Sequence, residues 1–450
     1  MISVVFSSST EGIFDATGKG AVCPYPNAYA GLIDLASQED CLILNVYNKD
    51  VDSHVPKKVM VFIHGGAYIF GSSTEYQVGS FVTSEDVIIV TINYRLGVLG
   101  FLSTGDDSCP GNFGLWDMTL ALQWVRDNIA SFGGDPTDVT ISGESAGGSA
   151  VGYLSISPHT KGLFTKAYLQ SGTPTSAFGR FLDPRKATLE LAIHLNCFDK
   201  GSSAGVSSEE TKEIVQCLRH RHVSNFTSFP LASLDNVQFV PTVDGDFIPK
   251  SPAKLLQDDE YLNNVGFFQR SYLVGINNNE NFIYKRRTTA MFNYISTRED
   301  LTDDAKINMI SELQASAVTF SIKTRLGKDI PTVAVEKIVD WYDRRFGNDT
   351  IWQLMGDLSF LVPTFDFINA ASRGPNNRVW LFYFNHYPKY MQGSNKGVIH
   401  AADLAYWFDF DLAILDTFKA GIDLDIGMIE EDAWMKSLLS SIIGDFTNTG

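Results

Sequence analysis

The stretch Val139-Thr140-Ile141-Ser142-Gly143-Glu144-Ser145-Ala146-Gly147-Gly148-Ser149-Ala150 opens as a β-branched apolar strand and closes in small residues suited to a tightly packed helix. Between the two halves lies a Gly-x-Ser-x-Gly motif at 143–147, which places Ser145 on a sharp strand-to-helix turn. Side chains at the flanking positions would clash in so tight a turn, so glycines stand there. The turn lifts the Ser145 hydroxyl clear of the backbone. It also sets the hydroxyl at a helix N-terminus, where N–H groups and the helix dipole favour a developing anion. Ser145 is therefore a candidate nucleophile.

Outward from this turn the chain alternates. Val59–Ile63 and Val87–Ile92 are apolar runs, the first closed by His64-Gly65-Gly66 and the second by Asn93. Both read as strands buried on two faces. Leu115, Met118, Leu122, Val125 and Ile129 recur at helical spacing, and Phe132-Gly133-Gly134-Asp135-Pro136 turns the chain after them. Ala167–Gln170, Tyr272–Ile276 and Val379–Phe384 are further strand candidates. This alternation predicts an α/β fold, with a mostly parallel sheet and helices on both faces. Residues about 180 to 265 show little regular pattern, and residues about 281 to 375 look mostly helical. The expectation is one domain over 1–450 with insertions near 180–265 and 281–375.

Composition narrows the function. Lys and Arg number 35 against 52 Asp and Glu, a net charge of −17. A binder of phosphate backbones carries the opposite excess, so nucleic acid is not an expected partner. A hydrophobic share of 44% and a charged share of 19% permit a sizeable core and argue against disorder. No run of about 18 apolar residues appears, so no membrane span is expected. The five cysteines are Cys23, Cys41, Cys109, Cys197 and Cys217, and sequence spacing alone does not assign their pairing. Asn225-Phe226-Thr227 and Asn348-Asp349-Thr350 are glycosylation sequons, which suit a secreted glycoprotein. The N-terminal MISVVFSSST, however, has neither the basic flank nor the long apolar run of a signal peptide. Nothing in the pattern speaks to oligomeric state.

A second motif, His64-Gly65-Gly66-Ala67-Tyr68, follows the strand ending at Ile63. Acyl transfer creates an oxyanion that preorganised donors must hold, and a glycine-rich loop exposes N–H groups without obstruction. The N–H groups of Gly66, Ala67 and Ala146 are the candidates. A serine nucleophile also needs a base and an acid. Of eight histidines, His64 belongs to the loop just described, and His54, His159, His194, His220 and His222 sit in polar or helical contexts. His386, after a strand, and His400, in a glycine-led loop, both fit a chain order of Ser, acid, His. Glu280 ends a loop after the Tyr272–Ile276 strand and is a candidate acid, one of many by pattern alone. No Cys/His cluster has zinc-site spacing and no glycine loop is of the phosphate-binding kind, so neither metal nor cofactor is expected.

HGGAYIFGS, NYRLGVLGF, GNFGLWDMTLALQWVRDNIASFGGDP, GESAGG, LFTKAYLQSG, FVPTVDGDFIP, GINNNE and GVIHAADLAYWF occur in this order. Together they resemble the type-B carboxylesterase family, the group that includes the cholinesterases and the neuroligins, over roughly residues 20 to 450. The resemblance implies an α/β-hydrolase fold and a serine carboxylesterase that hydrolyses small-molecule esters through an acyl-enzyme. It implies Glu280 as the acid and His400, rather than His386, as the base. It further implies an Arg95–Asp117 ion pair, a buried Ser171 near the triad, and a supporting place for Glu144. Phe178 falls where an acyl-pocket aromatic is expected. Disulfides Cys23–Cys41 and Cys197–Cys217 are implied, leaving Cys109 unpaired.

The departures from the family pattern also carry expectations. The chain starts roughly where the family's strand-rich first segment ends and stops ahead of its usual C-terminus, so it reads as shortened at both ends. The segment from Cys23 to Cys41 has Tyr25 and Tyr29 but no Trp, which argues against a cholinesterase holding a quaternary ammonium. Neuroligin-like adhesion proteins tend to lose the nucleophile, and Ser145, Glu280 and His400 are all present here. A cholinesterase-type enzyme and a non-catalytic binding protein stand as the alternatives.

Overall fold

Among the described residues, ten strands account for most of the apolar runs: β1 (Ile2–Val5), β2 (Ile43–Tyr47), β3 (Lys57–Ile63), β4 (Tyr76–Gln77), β5 (Ile88–Ile92), β6 (Gly134–Glu144), β7 (Lys166–Gln170), β8 (Ser271–Asn277), β9 (Val379–Phe384) and β10 (Asp409–Phe410). The computed structural model describes residues 2–5, 16, 18, 20–27, 36–51, 53–176, 183–199, 205–229, 239–281, 283, 294–298, 300–326, 330–386, 397–410 and 430–450. Eight strands form one sheet in the order β1-β2-β5-β3-β6-β7-β8-β9, and β4 pairs with β10 in a separate ribbon. β1 and β2 join antiparallel. From β5 to β9 every pairing is parallel. The fold is that of an α/β-hydrolase.

Parallel strands need crossover connections, and those cover both faces of the sheet. The alternation of side chains along β3 shows the consequence. Val59, Val61 and Ile63 enter one core with Val90, Ile141 and the helices Phe113–Asn128 and Ala146–Ile156. Met60 and Phe62 enter the other with Ile89, Phe81, Trp407 and Ile443 of the helix Glu430–Thr449. A two-residue period thus divides a continuous apolar run between two cores. The helical stripe read from Leu115 to Val125 is buried along its length.

Two regions lie outside the sheet. Helices Asp303–Leu326, Thr332–Phe346 and Thr350–Gly356 share a small core of Val318, Ile322, Val335 and Leu354. This agrees with the helical reading of that region. Residues 184–264, expected to lack regular pattern, instead hold helices Pro184–His194, Ser208–Arg219, Val223–Thr227, Pro252–Leu255 and Asp259–Asn264. Local caps explain the difference. Asp183 accepts from the Lys186 N–H, and Ser207 with Glu210 forms a reciprocal capping box.

Cys23–Cys41 and Cys197–Cys217 are disulfides, and Cys109 is a buried free thiol. Asp117 takes the Arg95 guanidinium in a two-pronged ion pair, Nη2 at 2.6 Å and Nε at 2.8 Å, and also accepts the Arg95 backbone N–H at 3.0 Å. The pair ties the segment after β5 to the helix Phe113–Asn128. Among the described residues, no helix is long and apolar enough to cross a membrane.

Candidate active site

β6 delivers Glu144, the backbone turns at Ser145 with φ 58° and ψ −118°, and the helix Ala146–Ile156 begins at once. That φ is a strained, left-handed value for a serine, and the surroundings hold it. The Ser145 N–H donates to Gln170 O at 2.8 Å, and Ser145 O accepts from the Ser149 N–H at 2.9 Å. The glycines are steric necessities. A Cβ on Gly147 would lie 2.1 Å from Ile63 O, and one on Gly172 would lie 2.0 Å from Ser145 O. The Ala146 N–H, first in its helix, has no intrahelical acceptor.

The loop after β3 packs against this turn. A Cβ on Gly65 would meet Glu144 O at 2.8 Å, so only glycine allows the approach. Gly66, Ala67 and Tyr68 follow with φ of 97°, 54° and 63°. Among the described residues the N–H groups of Gly66 and Ala67 find no acceptor. His64 anchors the loop: Tyr94 donates its hydroxyl to His64 O at 2.9 Å and stacks on the imidazole at 4.3 Å. Burial pushes the His64 ring down to about 4, so it is neutral at physiological pH.

The remaining members come from the opposite half of the chain. Asn279, past the end of β8, donates its backbone N–H to Val398 O at 3.0 Å, which brings the Glu280 loop against the His400 loop. Glu280 Oε1 accepts the Ser171 hydroxyl at 2.5 Å and the Asn277 N–H at 2.7 Å. Its Oε2 stands 2.6 Å from His400 Nδ1. Asp403 braces the assembly from below by accepting Gln170 Nε2 at 2.9 Å and Asn277 Nδ2 at 3.0 Å. Phe360 lies against the imidazole at 4.8 Å between ring centres.

The second nitrogen of His400 has a different neighbour. Nε2 is 3.2 Å from Glu144 Oε1, an ionic approach without hydrogen-bond alignment, since that oxygen has no hydrogen-bond partner among the described residues. His400 thus reaches the residue adjoining Ser145. Burial raises the Glu144 carboxyl to about 8; His400 opposes the rise, and Asp403 and Glu280 add to it. For His400, burial works downward, but the carboxylates of Glu144 and Glu280 outweigh it and hold the ring up to about 9.

Of the sequence candidates, Glu144 and Glu280 approach the two nitrogens of the His400 imidazole and Ser171 braces Glu280, with Ser145, Ala146, Gly66 and Ala67 on the adjoining turns. His386 is elsewhere engaged, its Nε2 2.9 Å from Asp432 Oδ1. Phe178 lies outside the described residues. Sequence reasoning did not single out Gln170, Asn277, Asp403 or Phe360 as supports. The first three lie within or beside the quoted motifs, but their pairing is visible only in three dimensions.

A sequence profile of the carboxylesterase family matches residues 6–450. The chain is 34% identical to human carboxylesterase 3 over 356 residues, which is 78% of this chain and 57% of that protein. It is 30% identical to gut esterase 1 of Caenorhabditis briggsae over 462 aligned residues, covering 98% of the chain and 76% of the esterase. It is 34% identical to mouse neuroligin-2 over 348 residues, 76% of the chain and 39% of that protein. The chain therefore spans 39% of one of these relatives, 57% of another and 76% of the third.

Proposed function

The chain belongs to the carboxylesterase family, and on that premise we propose that it is a serine carboxylesterase working through an acyl-enzyme on small-molecule esters. What carries this reading is the 2.6 Å contact of Glu280 with His400 Nδ1, with the other ring nitrogen reaching the turn that holds Ser145. His400 Nε2 takes the proton of the Ser145 hydroxyl as Oγ attacks the ester carbonyl. For that step Nε2 accepts from Ser145 in place of its approach to Glu144. The N–H groups of Gly66, Ala67 and Ala146 hold the oxyanion, each worth about 3 kcal/mol in the transition state. The alcohol leaves with the proton from His400, and a water deprotonated by the same ring releases the acid. Glu280, fixed by Ser171 and Asn277, keeps the imidazole in one tautomer and balances its cation.

The test is turnover of a short-chain p-nitrophenyl ester. Ser145→Ala lowers kcat by about 10⁴-fold or more while the circular dichroism spectrum stays unchanged. Undiminished turnover rejects the mechanism. The two disulfides fit an oxidising compartment, which is where we place the protein. Similarity to neuroligin-2 favours the second reading, a binding protein on the same scaffold. A wild-type chain that turns over no ester and reacts with no organophosphate supports it.

A further inference from the structure

We infer that Asn281 is a positioning residue: its side-chain amide clamps the Glu280 loop to the helical turn that sets Phe360 on His400, so that one contact aligns two supports of the imidazole. The inference rests on the esterase reading above and deepens it. His400 meets Glu280 at Nδ1 across 2.6 Å and Phe360 on its ring at 4.8 Å between ring centres. These two supports come from separate parts of the chain. Glu280 follows β8, whereas Phe360 belongs to a five-residue π-turn, Asp357–Leu361, between the helices Thr350–Gly356 and Val362–Ala371. A π-turn displaces side chains from the register of an α-helix, and such turns gather at functional sites.

Asn281 joins the two. Ahead of Glu280 the loop is fixed by the Asn278 N–H donating to Phe384 O and the Asn279 N–H donating to Val398 O, each at 3.0 Å. Just after it, Asn281 Nδ2 donates to Gln353 Oε1 at 2.5 Å and to Asp357 Oδ1 at 3.3 Å. The Asp357 carboxylate fixes the sense of the amide, because a reversed one would turn Oδ1 toward an acceptor. Asn281 is buried and lies directly on the helix at Gly356, where a Cβ would come within 1.8 Å of Asn281 Oδ1. No other residue at 356 leaves room for the clamp.

Asp357 is held from its other side. Tyr342, on the helix Thr332–Phe346, donates its hydroxyl to Asp357 Oδ2 at 2.7 Å. Burial raises the Asp357 carboxyl, and the Tyr342 and Asn281 donors oppose the rise. A satisfied, largely buried polar set of this kind is a stiff connection. Phe360 stands three residues on from Asp357 in the same turn, so a carboxylate that shifts carries the aromatic ring with it. Misplacing a reacting group by about 1 Å can cost about 10²-fold in rate. A clamp that served only to stabilise the helices would lower the melting temperature and leave the chemistry of the folded molecules untouched.

The experiment measures kcat and KM separately on a p-nitrophenyl ester, for the full chain and three variants, well below their melting temperatures. Asn281→Ala lowers kcat about tenfold or more while KM stays within about threefold, the mark of a contact that acts in the transition state. Asn281→Asp sets a second carboxylate against Asp357 and lowers kcat further. Val335→Ala loosens the small core that these helices share with Val318, Ile322 and Leu354, so it lowers the melting temperature and keeps kcat. An Asn281→Ala enzyme with parental kcat overturns the inference, as does a Val335→Ala enzyme that loses as much turnover. Proton NMR reads the same alignment without turnover. The low-field Nδ1–H signal of His400, set by its short bond to Glu280, shifts or broadens in Asn281→Ala, and an unchanged signal overturns the inference. A wild-type chain that hydrolyses no ester would count against the esterase reading, and the proton signal would still decide this one.

Discussion

Glu280 and His400, 120 residues apart in the chain, meet at 2.6 Å between Oε2 and Nδ1 in a site from which both are almost wholly excluded from solvent. Neither is placed by local structure alone. The Asn279 contact with Val398 holds their loops together, and Ser171 and Asn277 occupy the far oxygen of the carboxylate.

That contact makes the carboxylate specific. In Glu280→Gln one amide end faces the wrong partner, because Nδ1–H, the Ser171 hydroxyl and the Asn277 N–H all donate. We expect kcat to fall by about 10⁴-fold, as when the acid of a related triad is neutralised. Ser171→Ala removes a single donor and costs about tenfold. Steady-state kinetics on an aryl ester reads both. A Glu280→Gln enzyme within tenfold of the parent would contradict the assignment.

The backbone of the Ser145 turn is checked at Gly172. An alanine there puts Cβ 2.0 Å from Ser145 O and 2.9 Å from the Ser149 nitrogen, and backbone atoms yield less readily than a flexible side chain. Gly172→Ala should lose about 1–3 kcal/mol of stability and most of its turnover, because the strain falls on the turn. Urea unfolding with parallel kinetics measures both, and an alanine variant equal to the parent would mean the turn tolerates what this geometry forbids.

Arg95 supports the fold without touching the imidazole. Arg95→Ala strands the Asp117 carboxylate, whose side chain is 4% exposed, and we expect a loss of about 2 kcal/mol. The guanidinium is partly solvated, which keeps the cost below that of a fully buried pair. The urea midpoint should drop while kcat of the folded enzyme is retained. A fall in kcat without a fall in stability would give Arg95 a different role.

The sheet and the Ser145 turn were legible because local pattern alone determines them. β3 is apolar from Val59 onward, β5 is apolar but for Thr91, and β9 is apolar or aromatic throughout, while the glycines around Ser145 announce a backbone no other residue fits. β2 escaped notice because Asn45 interrupts its apolar residues. The structure buries that asparagine and satisfies it with Ser73 and Thr91, partners remote in sequence. The helix Ser208–Arg219 was obscured by the Ser- and Gly-rich stretch before it, although Ser207 and Glu210 spell a capping box. His386 and His400 both follow β9, and local pattern does not separate them; the family resemblance favours His400, and tertiary contact gives the reason, since one meets Asp432 and the other Glu280. The approach of Glu144 to His400 has no sequence signal beyond its place before the serine.

The central claim is that Ser145 is an activated nucleophile, and covalent labelling tests it most directly. The full chain is incubated with a fluorophosphonate, digested, and the modified peptide sequenced by mass spectrometry. The account predicts one stoichiometric adduct on Ser145, absent from Ser145→Ala and slowed in His400→Ala. A folded chain that stays unlabelled, or carries its adduct on another serine, would contradict it.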